Sequence, residues 1–383
     1  MAGELGKNSL IEMLRATAIV YTLVHHLAIP TGHIPTVYIY IGQLGLFHIG
    51  VDLFFVISGF VITRSLCGSE MEFQVSRWRL MMAFWLKRVF RLLPLAWLWL
   101  LISAVYTVTM ALLPGSPDQH GFLLAPQLAA FLNIANLYSA YCFRAGASQI
   151  LCDVPNISAH YWSLSLEEQF YLLYPLLFFL FNRKFLIIVL CMAVLAQFFW
   201  SRPTGSYGWY FRTDALYWGV LLGFFANTSL YEALGRILLR YRYGTLATMA
   251  VLILLLPALA AKVDVFGGDP NTYGVATIAL VCAVIVFIAS YDFKCFGNTS
   301  VIYRVLMYLG SRSYSLYVVH FIFFVMIGNV SSKLGLEKTM FSDFSLIILA
   351  LLATFTASEL SYRYVESRYR PKGRQLAKQF LNR

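Results

Sequence analysis

The first apolar segment of the chain carries an arginine and a histidine that could act together. Arg15 and His26 lie eleven residues apart, which is almost three helical turns, so they share one helix face about 16 Å apart along the axis. His25 falls off that line. Ionisable groups within a membrane segment are costly and are usually functional. A basic group near one membrane face and an imidazole deeper in the same stripe indicate a site that works along the membrane normal.

The second apolar segment contains one carboxylate among aromatic residues, within the run Gly50–Phe60. Counted along the segment, Asp52 lies at about the depth of His26. Asp52 has two interpretations. Either it orients an imidazole or stabilises its protonated form, or it makes a hydrogen bond that packs two helices. The pair Ser58 and Gly59 predicts a close helix contact, because small residues let backbones approach in membranes.

A basic cluster, Lys87–Pro94, enters the third segment. Arg88 and Arg91 are spaced by three and share a helix face. Guanidinium groups bind phosphate oxygens in a bidentate manner, which would suit a phosphorylated ligand. The alternative is that the cluster anchors the topology and contacts anionic lipid headgroups.

A fourth motif opens a span with Ser163, Glu167 and Tyr171 at successive fourth positions. This spacing places all three side chains on one helix face. A glutamate so close to the start of a span needs a partner or water. The carboxylate and the two hydroxyl groups are therefore candidates for the chemistry.

The segments that must position these residues are predicted to be membrane helices. The chain is 60% hydrophobic and 12% charged, unlike soluble domains. Runs of the roughly 20 apolar residues that cross a bilayer are found at about 10 to 30, 44 to 64, 92 to 113, 161 to 182, 184 to 200, 212 to 229, 244 to 262, 273 to 291, 314 to 330 and 343 to 365. A further stretch, about 122 to 140, is polar enough to be interfacial or re-entrant. The predicted fold is an all-α integral membrane protein, a bundle of about ten transmembrane helices.

Basic residues indicate the orientation. Most of the 29 lysines and arginines fall in segments that are internal if the N-terminus is inside, which predicts cytoplasmic N- and C-termini. Most of the net charge of +11 is then explained by basic residues that set the orientation of the chain in the membrane. Nucleic-acid binding is not indicated, because no nucleic-acid-binding module is recognisable. No metal-ligand spacing appears.

The longest outer segment, 114 to 160, is rich in proline, glycine, serine and asparagine. It forms either a lid or acceptor-binding surface, or a packed connector. Its two cysteines, Cys142 and Cys152, either form a disulfide, which an oxidising compartment permits, or remain free thiols.

Taken together, these motifs resemble the acyltransferase 3 family of polytopic membrane O-acyltransferases over nearly the whole chain. The matching motifs are Arg15 with His26, the run Gly50–Phe60, Arg88 and Arg91 before Leu93-Pro94, the run Trp162–Tyr171, Arg212–Ala215, Leu309–Tyr317 with His320, and Glu366. Their shared order makes the resemblance specific.

The resemblance implies transfer of an acyl group, usually acetyl, from cytoplasmic acyl-CoA to a hydroxyl. The acceptor would be a cell-surface carbohydrate such as O-antigen or exopolysaccharide, or its lipid-linked precursor, at the bacterial cytoplasmic (inner) membrane. Acetyl-CoA would be a co-substrate, with no bound cofactor. By matched position, His26 would be the general base, and transfer would be direct or through an acyl-enzyme.

The remaining site residues take their expected roles from the same resemblance. Asp52 and Glu167 would support His26, while Arg15, Arg88 and Arg91 would hold the donor. Ser163 or Tyr171 would bind the oxyanion. Further expectations are that His320 contacts the pantetheine arm or bonds a neighbouring helix, that Arg212 and Asp214 form an acceptor-side pair or a structural salt bridge, and that Glu366 is a packing or capping partner for the cytoplasmic arginines.

The expected organisation is an acyltransferase transmembrane domain over residues 1–370 and a basic cytoplasmic tail over 371–383. Some relatives carry an esterase-like domain after the bundle, so this chain is expected to be the stand-alone form. An acyltransferase with a small-molecule or lipid acceptor, a transporter and a non-catalytic scaffold are the alternatives. A transporter would show inverted repeats and paired broken helices, which the sequence does not clearly contain.

Overall fold

The computed structural model describes residues 8–31, 47–113, 123–145, 151–152, 156–203, 205–262, 273–293, 300–335 and 339–382. Throughout these ranges the regular elements are helical, so the all-α prediction is confirmed. The helices are α1 (Ser9–His25), α2 (Gly50–Glu72), α3 (Arg77–Leu112), α4 (Ala125–Phe131), α5 (Ala135–Ala145), α6 (Tyr161–Leu180), α7 (Arg183–Phe198), α8 (Tyr207–Tyr210), α9 (Asp214–Phe225), α10 (Ser229–Arg240), α11 (Arg242–Lys262), α12 (Gly274–Ala289), α13 (Val301–Ser311), α14 (Ser313–Lys333), α15 (Met340–Ser361) and α16 (Ser367–Asn382). A 3₁₀ turn, Ile29–Thr31, follows α1, and a π turn, Tyr362–Glu366, joins α15 to α16.

Five helical segments are long and apolar enough to cross a membrane. They are α2, α3, residues Arg242–Ala261 of α11, α14, and the continuous run Met340–Asn382. Of the other predicted spans, α1, α7, α9 and α12 are 17, 16, 12 and 16 residues long. The helix α6 has 20 residues but carries two adjacent glutamates. The described helices therefore support a multi-helix membrane protein. By helix length and composition, however, only five of the ten predicted spans are identified among the described residues.

The stretch predicted as interfacial or re-entrant is two short helices, α4 and α5, rather than one span. Asn133 between them has a left-handed φ of 57°. The polar residues find partners within the protein: Gln127 donates to Thr107 at 3.1 Å, and Asn136 donates to Gln169 at 3.3 Å. These hydrogen bonds offset the cost of burying amides in an apolar surrounding.

Helix α2 packs against α1, α9 and α12. At its crossing with α9, a Cβ on Gly59 would lie 2.2 Å from the Leu216 carbonyl oxygen, and one on Gly219 would lie 2.2 Å from the Val56 oxygen. The small-residue prediction at Gly59 is thus confirmed, because only glycine permits this backbone approach. The crossing fixes α2, which carries Asp52 and Ser58.

Helix α3 continues through Pro94 without interruption, from its basic N-terminal half into its apolar C-terminal half. Helix α16 packs along it so closely that a Cβ on Gly373 would lie 2.5 Å from the Cβ of Phe90. The domain boundary predicted at residue 370 falls within α16. This packing brings the arginines of the C-terminal helix to those of α3.

Candidate active site

The three predicted donor-binding arginines line one cavity of about 70 Å³, here called the arginine cavity. Arg15 reaches it from α1, and Arg88 and Arg91 reach it from α3. The Arg88 guanidinium lies 5.1 Å from the centre of the Tyr171 ring and 5.3 Å from that of Phe84. Stacking on these rings fixes the orientation of the Arg88 guanidinium, for which phosphate binding was one of the two interpretations of the sequence.

Glu167 also lines the arginine cavity, so the prediction that it supports His26 is not met by the geometry. Its carboxylate accepts hydrogen bonds from the hydroxyl groups of Ser58 and Tyr171. The pair Glu167 and Tyr171 is one helical turn apart, as the spacing predicts. The carboxylate therefore lies among the arginines, where it balances part of their charge.

A larger cavity of about 380 Å³, here called the histidine cavity, lies beyond the arginine cavity. It is rimmed by imidazole rings, aromatic residues and one arginine. The residues that matter for its chemistry are His25, His26, His48, His160, Trp162, Trp209, Arg212 and Tyr317. Cys142 and Cys152 also line it and form a disulfide, as one of the two sequence alternatives expected.

His26 lies one residue beyond the end of α1, as its C-cap. Its Nδ1 atom is 2.9 Å from the Thr22 carbonyl oxygen and 3.2 Å from Nε2 of His320. A carbonyl oxygen only accepts hydrogen bonds, so Nδ1 of His26 carries the proton. The neutral ring therefore has its lone pair on Nε2.

His320 is fully buried directly behind His26. Its own Nδ1 is 2.7 Å from the Tyr317 carbonyl oxygen, which again requires a proton on Nδ1 and leaves Nε2 to face His26. It lines neither cavity as the structure describes them. Of the two expectations for His320, the bond to a neighbouring helix agrees with the structure and the contact with the donor arm does not.

Asp52 does not contact His26 either. Its Oδ1 lies 3.5 Å from Nε of Arg212, and both side chains are 1% exposed. The Arg212 guanidinium is 3.9 Å from the centre of the Trp209 ring and 5.1 Å from that of Trp162. Asp52 thus holds a buried cation at the wall of the histidine cavity. Depth along a helix matched Asp52 to His26, but the side chain points to a different neighbour.

The predicted pair of Arg212 with Asp214 is wrong, because each of the two residues has a different partner. Asp214, in the first turn of α9, accepts two hydrogen bonds from Arg202 at 2.9 and 2.8 Å. Both side chains are essentially inaccessible, at 0% and 1% exposure. Two ion pairs, Arg202 with Asp214 and Arg212 with Asp52, therefore replace the predicted one.

Tyr317 and Val51 line both cavities. The Tyr317 hydroxyl lies 2.5 Å from Oγ of Ser163, and both hydroxyl groups lie 3.3 Å from the carbonyl oxygen of His160. The pair therefore forms a hydroxyl cluster where the two cavities meet. Tyr171, the other predicted oxyanion residue, has its O–H directed to Glu167.

Comparison with known proteins gives a family match over most of the chain. The model of a family described as an acyltransferase domain, the acyltransferase 3 family, matches residues 8–363. The chain belongs to this family. It is 26% identical to the peptidoglycan O-acetyltransferase OatA of Listeria monocytogenes over 379 residues, which covers 95% of this chain and 56% of that protein.

Two further relatives are similar to the chain at a comparable level. A putative peptidoglycan O-acetyltransferase of Bacillus subtilis is 24% identical over 85% of this chain and 51% of its own length. A putative O-acetyltransferase of Staphylococcus aureus is 27% identical over 85% of this chain and 53% of its own length. The chain thus spans about half the length of these relatives. No solved structure matches it significantly.

Sequence reasoning missed several residues that the structure places at the site. Tyr317 ends a motif that the sequence singled out, and His160 lies two residues before another, so only their orientation was unknown. His48 lies within the second apolar run but before α2 begins at Gly50, and Arg202 lies in a connection between two runs, where periodicity carries no information. Glu366, expected as a partner for the arginines, lies in the π turn, accepts a hydrogen bond from Ser315 at 2.9 Å and is 3.7 Å from Arg370.

Proposed function

We propose that this acyltransferase moves an acetyl group from acetyl-CoA to a hydroxyl of a cell-envelope carbohydrate. The observation that carries the proposal is the meeting of the arginine cavity and the histidine cavity at Tyr317 and Val51. The arginines suit a phosphorylated, anionic donor, and the larger cavity offers an imidazole to an acceptor. The names of the relatives, which include peptidoglycan O-acetyltransferase, favour acetyl and place peptidoglycan among the acceptors to test.

In the proposed reaction, Nε2 of His26 takes the proton of the acceptor hydroxyl as that oxygen attacks the thioester carbonyl carbon. The imidazolium is stabilised through its Nδ1–H by the Thr22 carbonyl and the His320 lone pair. The carbon–sulfur bond then breaks, and the thiolate of coenzyme A receives the proton from Nε2. This direct route needs no acyl-enzyme.

The oxyanion of the tetrahedral intermediate is assigned to the hydroxyl cluster of Ser163 and Tyr317. It lies where a thioester in the arginine cavity would meet an acceptor in the histidine cavity. The protons of the two hydroxyl groups are shared between the pair and the His160 carbonyl oxygen, so one of them must turn from that oxygen to the oxyanion, which then stabilises the developing charge. Tyr171 is less suited, since its proton is directed to the Glu167 carboxylate, and hydrogen bonds to an ionised acceptor are stronger than those to a neutral carbonyl.

The proposed topology has about ten membrane segments, with the arginines toward the cytoplasm of a bacterial inner membrane and the histidine cavity toward the outside. A disulfide lines the histidine cavity, and disulfides persist in oxidising compartments. Basic residues concentrate beyond the arginine cavity, in agreement with the positive-inside rule. Donor and acceptor would then arrive from opposite sides.

The test is mass spectrometry of peptidoglycan, surface polysaccharides and glycolipids from cells that express the wild-type chain or His26→Ala. An acyl increment that base treatment removes is expected with the wild type, and a loss of at least about 100-fold with His26→Ala, as for removal of a general base. Thr17→Ala is the matched control, since Thr17 lies on the same helix and lines neither cavity.

Equal increments in the wild type and His26→Ala would remove His26 from the mechanism. Absence of the increment from both would contradict an envelope carbohydrate as the acceptor. In that case the purified protein is assayed with acetyl-CoA and small-molecule or lipid acceptors.

A further inference from the structure

A third cavity, of about 130 Å³, adjoins the arginine cavity and is here called the basic cavity. Two of its residues, Arg88 and Arg91, line both cavities. Helix α3 adds Lys87, and helix α16 adds Arg370 and Arg374. Five cations from two helices therefore surround a space large enough to hold a small charged group.

The charge of this cavity is not neutralised by its own lining. None of the described residues that line it is acidic, and the carboxylate of Glu366 lies 3.7 Å from Arg370. Like charges held this close repel each other, most strongly where the protein excludes water. An anion in the cavity would remove that repulsion.

The helices that carry these cations pack closely against each other. At the level of the cavity, a Cβ on Gly373 of α16 would lie 2.5 Å from the Cβ of Phe90 in α3. Arg88 is fixed by stacking on Tyr171 and Phe84. Its guanidinium group is thus preorganised, and preorganised arginines are suited to bidentate contacts with phosphate.

We propose that the basic cavity is a phosphate-binding site, formed by Arg370 and Arg374 of α16 with Lys87, Arg88 and Arg91 of α3. Its ligand is a phosphate ester. Resting on the proposed function, the phosphates at the nucleotide end of coenzyme A fit best, because the cavity shares Arg88 and Arg91 with the arginine cavity, which the hydroxyl cluster of Ser163 and Tyr317 also lines. The headgroup of an anionic phospholipid offers the same chemistry at the same end of the protein.

The experiment uses the full chain in nanodiscs and titration calorimetry with coenzyme A, 3′-dephospho-coenzyme A and pantetheine. The double variant Arg370→Gln, Arg374→Gln is expected to weaken coenzyme A binding at least about tenfold and to leave pantetheine binding unchanged. The matched control is Arg368→Gln, Lys372→Gln. These two exposed residues lie on the same helix over the rings of Tyr364 and Tyr369 and do not line the cavity.

A lipid arm distinguishes the two sources of phosphate. The same variants are compared in nanodiscs of phosphatidylcholine with and without phosphatidylglycerol, with the thermal unfolding midpoint as readout. If the headgroup is the ligand, the double variant keeps its coenzyme A affinity but loses the stabilisation by phosphatidylglycerol. Unchanged coenzyme A affinity together with unchanged lipid stabilisation would overturn the site.

Two further controls keep the result interpretable. If the double variant does not fold, Arg374→Gln alone is used, because Arg374 is exposed at the cavity rim. Binding is measured without turnover, so failure of this site and failure of the proposed function are separate results. A protein that binds coenzyme A through these arginines but transfers no acyl group would contradict only the proposed function.

Discussion

Two backbone carbonyls decide which nitrogen of His26 can take a proton. The Thr22 oxygen fixes a proton on Nδ1 of His26, and the Tyr317 oxygen fixes one on Nδ1 of His320. His320 then presents its lone pair to the Nδ1–H of His26. In many active sites a carboxylate fills that place, whereas here the partner is a second, neutral imidazole. For the proposed reaction, this arrangement gives His320 the role of a positioning residue.

We expect His320→Leu to lower kcat about 10- to 100-fold with little change in KM for donor or acceptor, because an interaction felt mainly in the transition state is lost. His320→Gln should recover part of the rate, since its side-chain oxygen can accept the hydrogen bond from His26. The measurement is steady-state kinetics of the purified variants, with thermal unfolding to verify the fold. A raised KM for acetyl-CoA at unchanged kcat would instead return His320 to the donor site.

At the scale of the elements, the crossing of α2 with α9 determines where Asp52 and Arg212 meet. Gly59→Ala is expected to destabilise the protein by about 1 to 3 kcal/mol, as for other overpacked contacts, because its Cβ would overlap the Leu216 carbonyl oxygen. Gly68→Ala is the matched control on the same helix, where nothing lies within 4 Å of the added Cβ. Replacing that glycine should be neutral or slightly stabilising through helix propensity.

Thermal unfolding in detergent, followed by intrinsic fluorescence, compares the two variants directly. Equal unfolding midpoints for Gly59→Ala and Gly68→Ala would mean that the helices relax at the crossing without cost. The close approach would then have no part in fixing Asp52.

Periodicity explains how much of the site the sequence could predict. Helical spacing correctly grouped Arg88 with Arg91, and Glu167 with Tyr171, since both relations are local to one helix. It could not tell which neighbouring helix a face would meet. Depth along the segment therefore matched Asp52 to His26, and the family resemblance gave Glu167 the same supporting role, although both carboxylates are turned toward arginines.

The same limit applies to the ion pairs and to the helix lengths. Arg202 lies in a short connection between helices, so helical periodicity could not predict that Arg202, and not Arg212, would pair with Asp214. The hydrophobic runs predicted the helices, but caps and turns set their ends. His26, for example, leaves α1 at its C-cap, which turns the ring into the histidine cavity.

At the scale of the whole molecule, three cavities follow one another from the basic cavity through the arginine cavity to the histidine cavity. Each neighbouring pair shares two lining residues: Arg88 and Arg91 at one junction, and Val51 and Tyr317 at the other. In the proposed function, a donor with phosphates at one end and a thioester at the other would lie along this series. In the proposed topology, this order runs from the side on which the donor would bind to the side on which the acceptor would bind.

Cysteine labelling tests that orientation, in a background with the exposed Cys191 replaced by serine. Lys378→Cys, on the exposed side of α16, is expected to react with a membrane-impermeant maleimide only after the cells are opened. Pro203→Cys, in the connection before α8, is expected to react in intact spheroplasts. The physical reason is the excess of basic residues around α16. The reverse labelling pattern would place the basic cavity outside.

The position of Tyr317 between the two cavities also bears on hydrolysis of the donor, the side reaction that competes with transfer. A thioester is open to attack by water as well as by a sugar, and in the proposed reaction His26 would activate either nucleophile in the histidine cavity. Tyr317 and Val51 line both cavities and lie between His26 and the proposed donor site. In the proposed reaction, loss of the acyl group to hydrolysis therefore depends on how these two side chains fill the junction when no acceptor is bound.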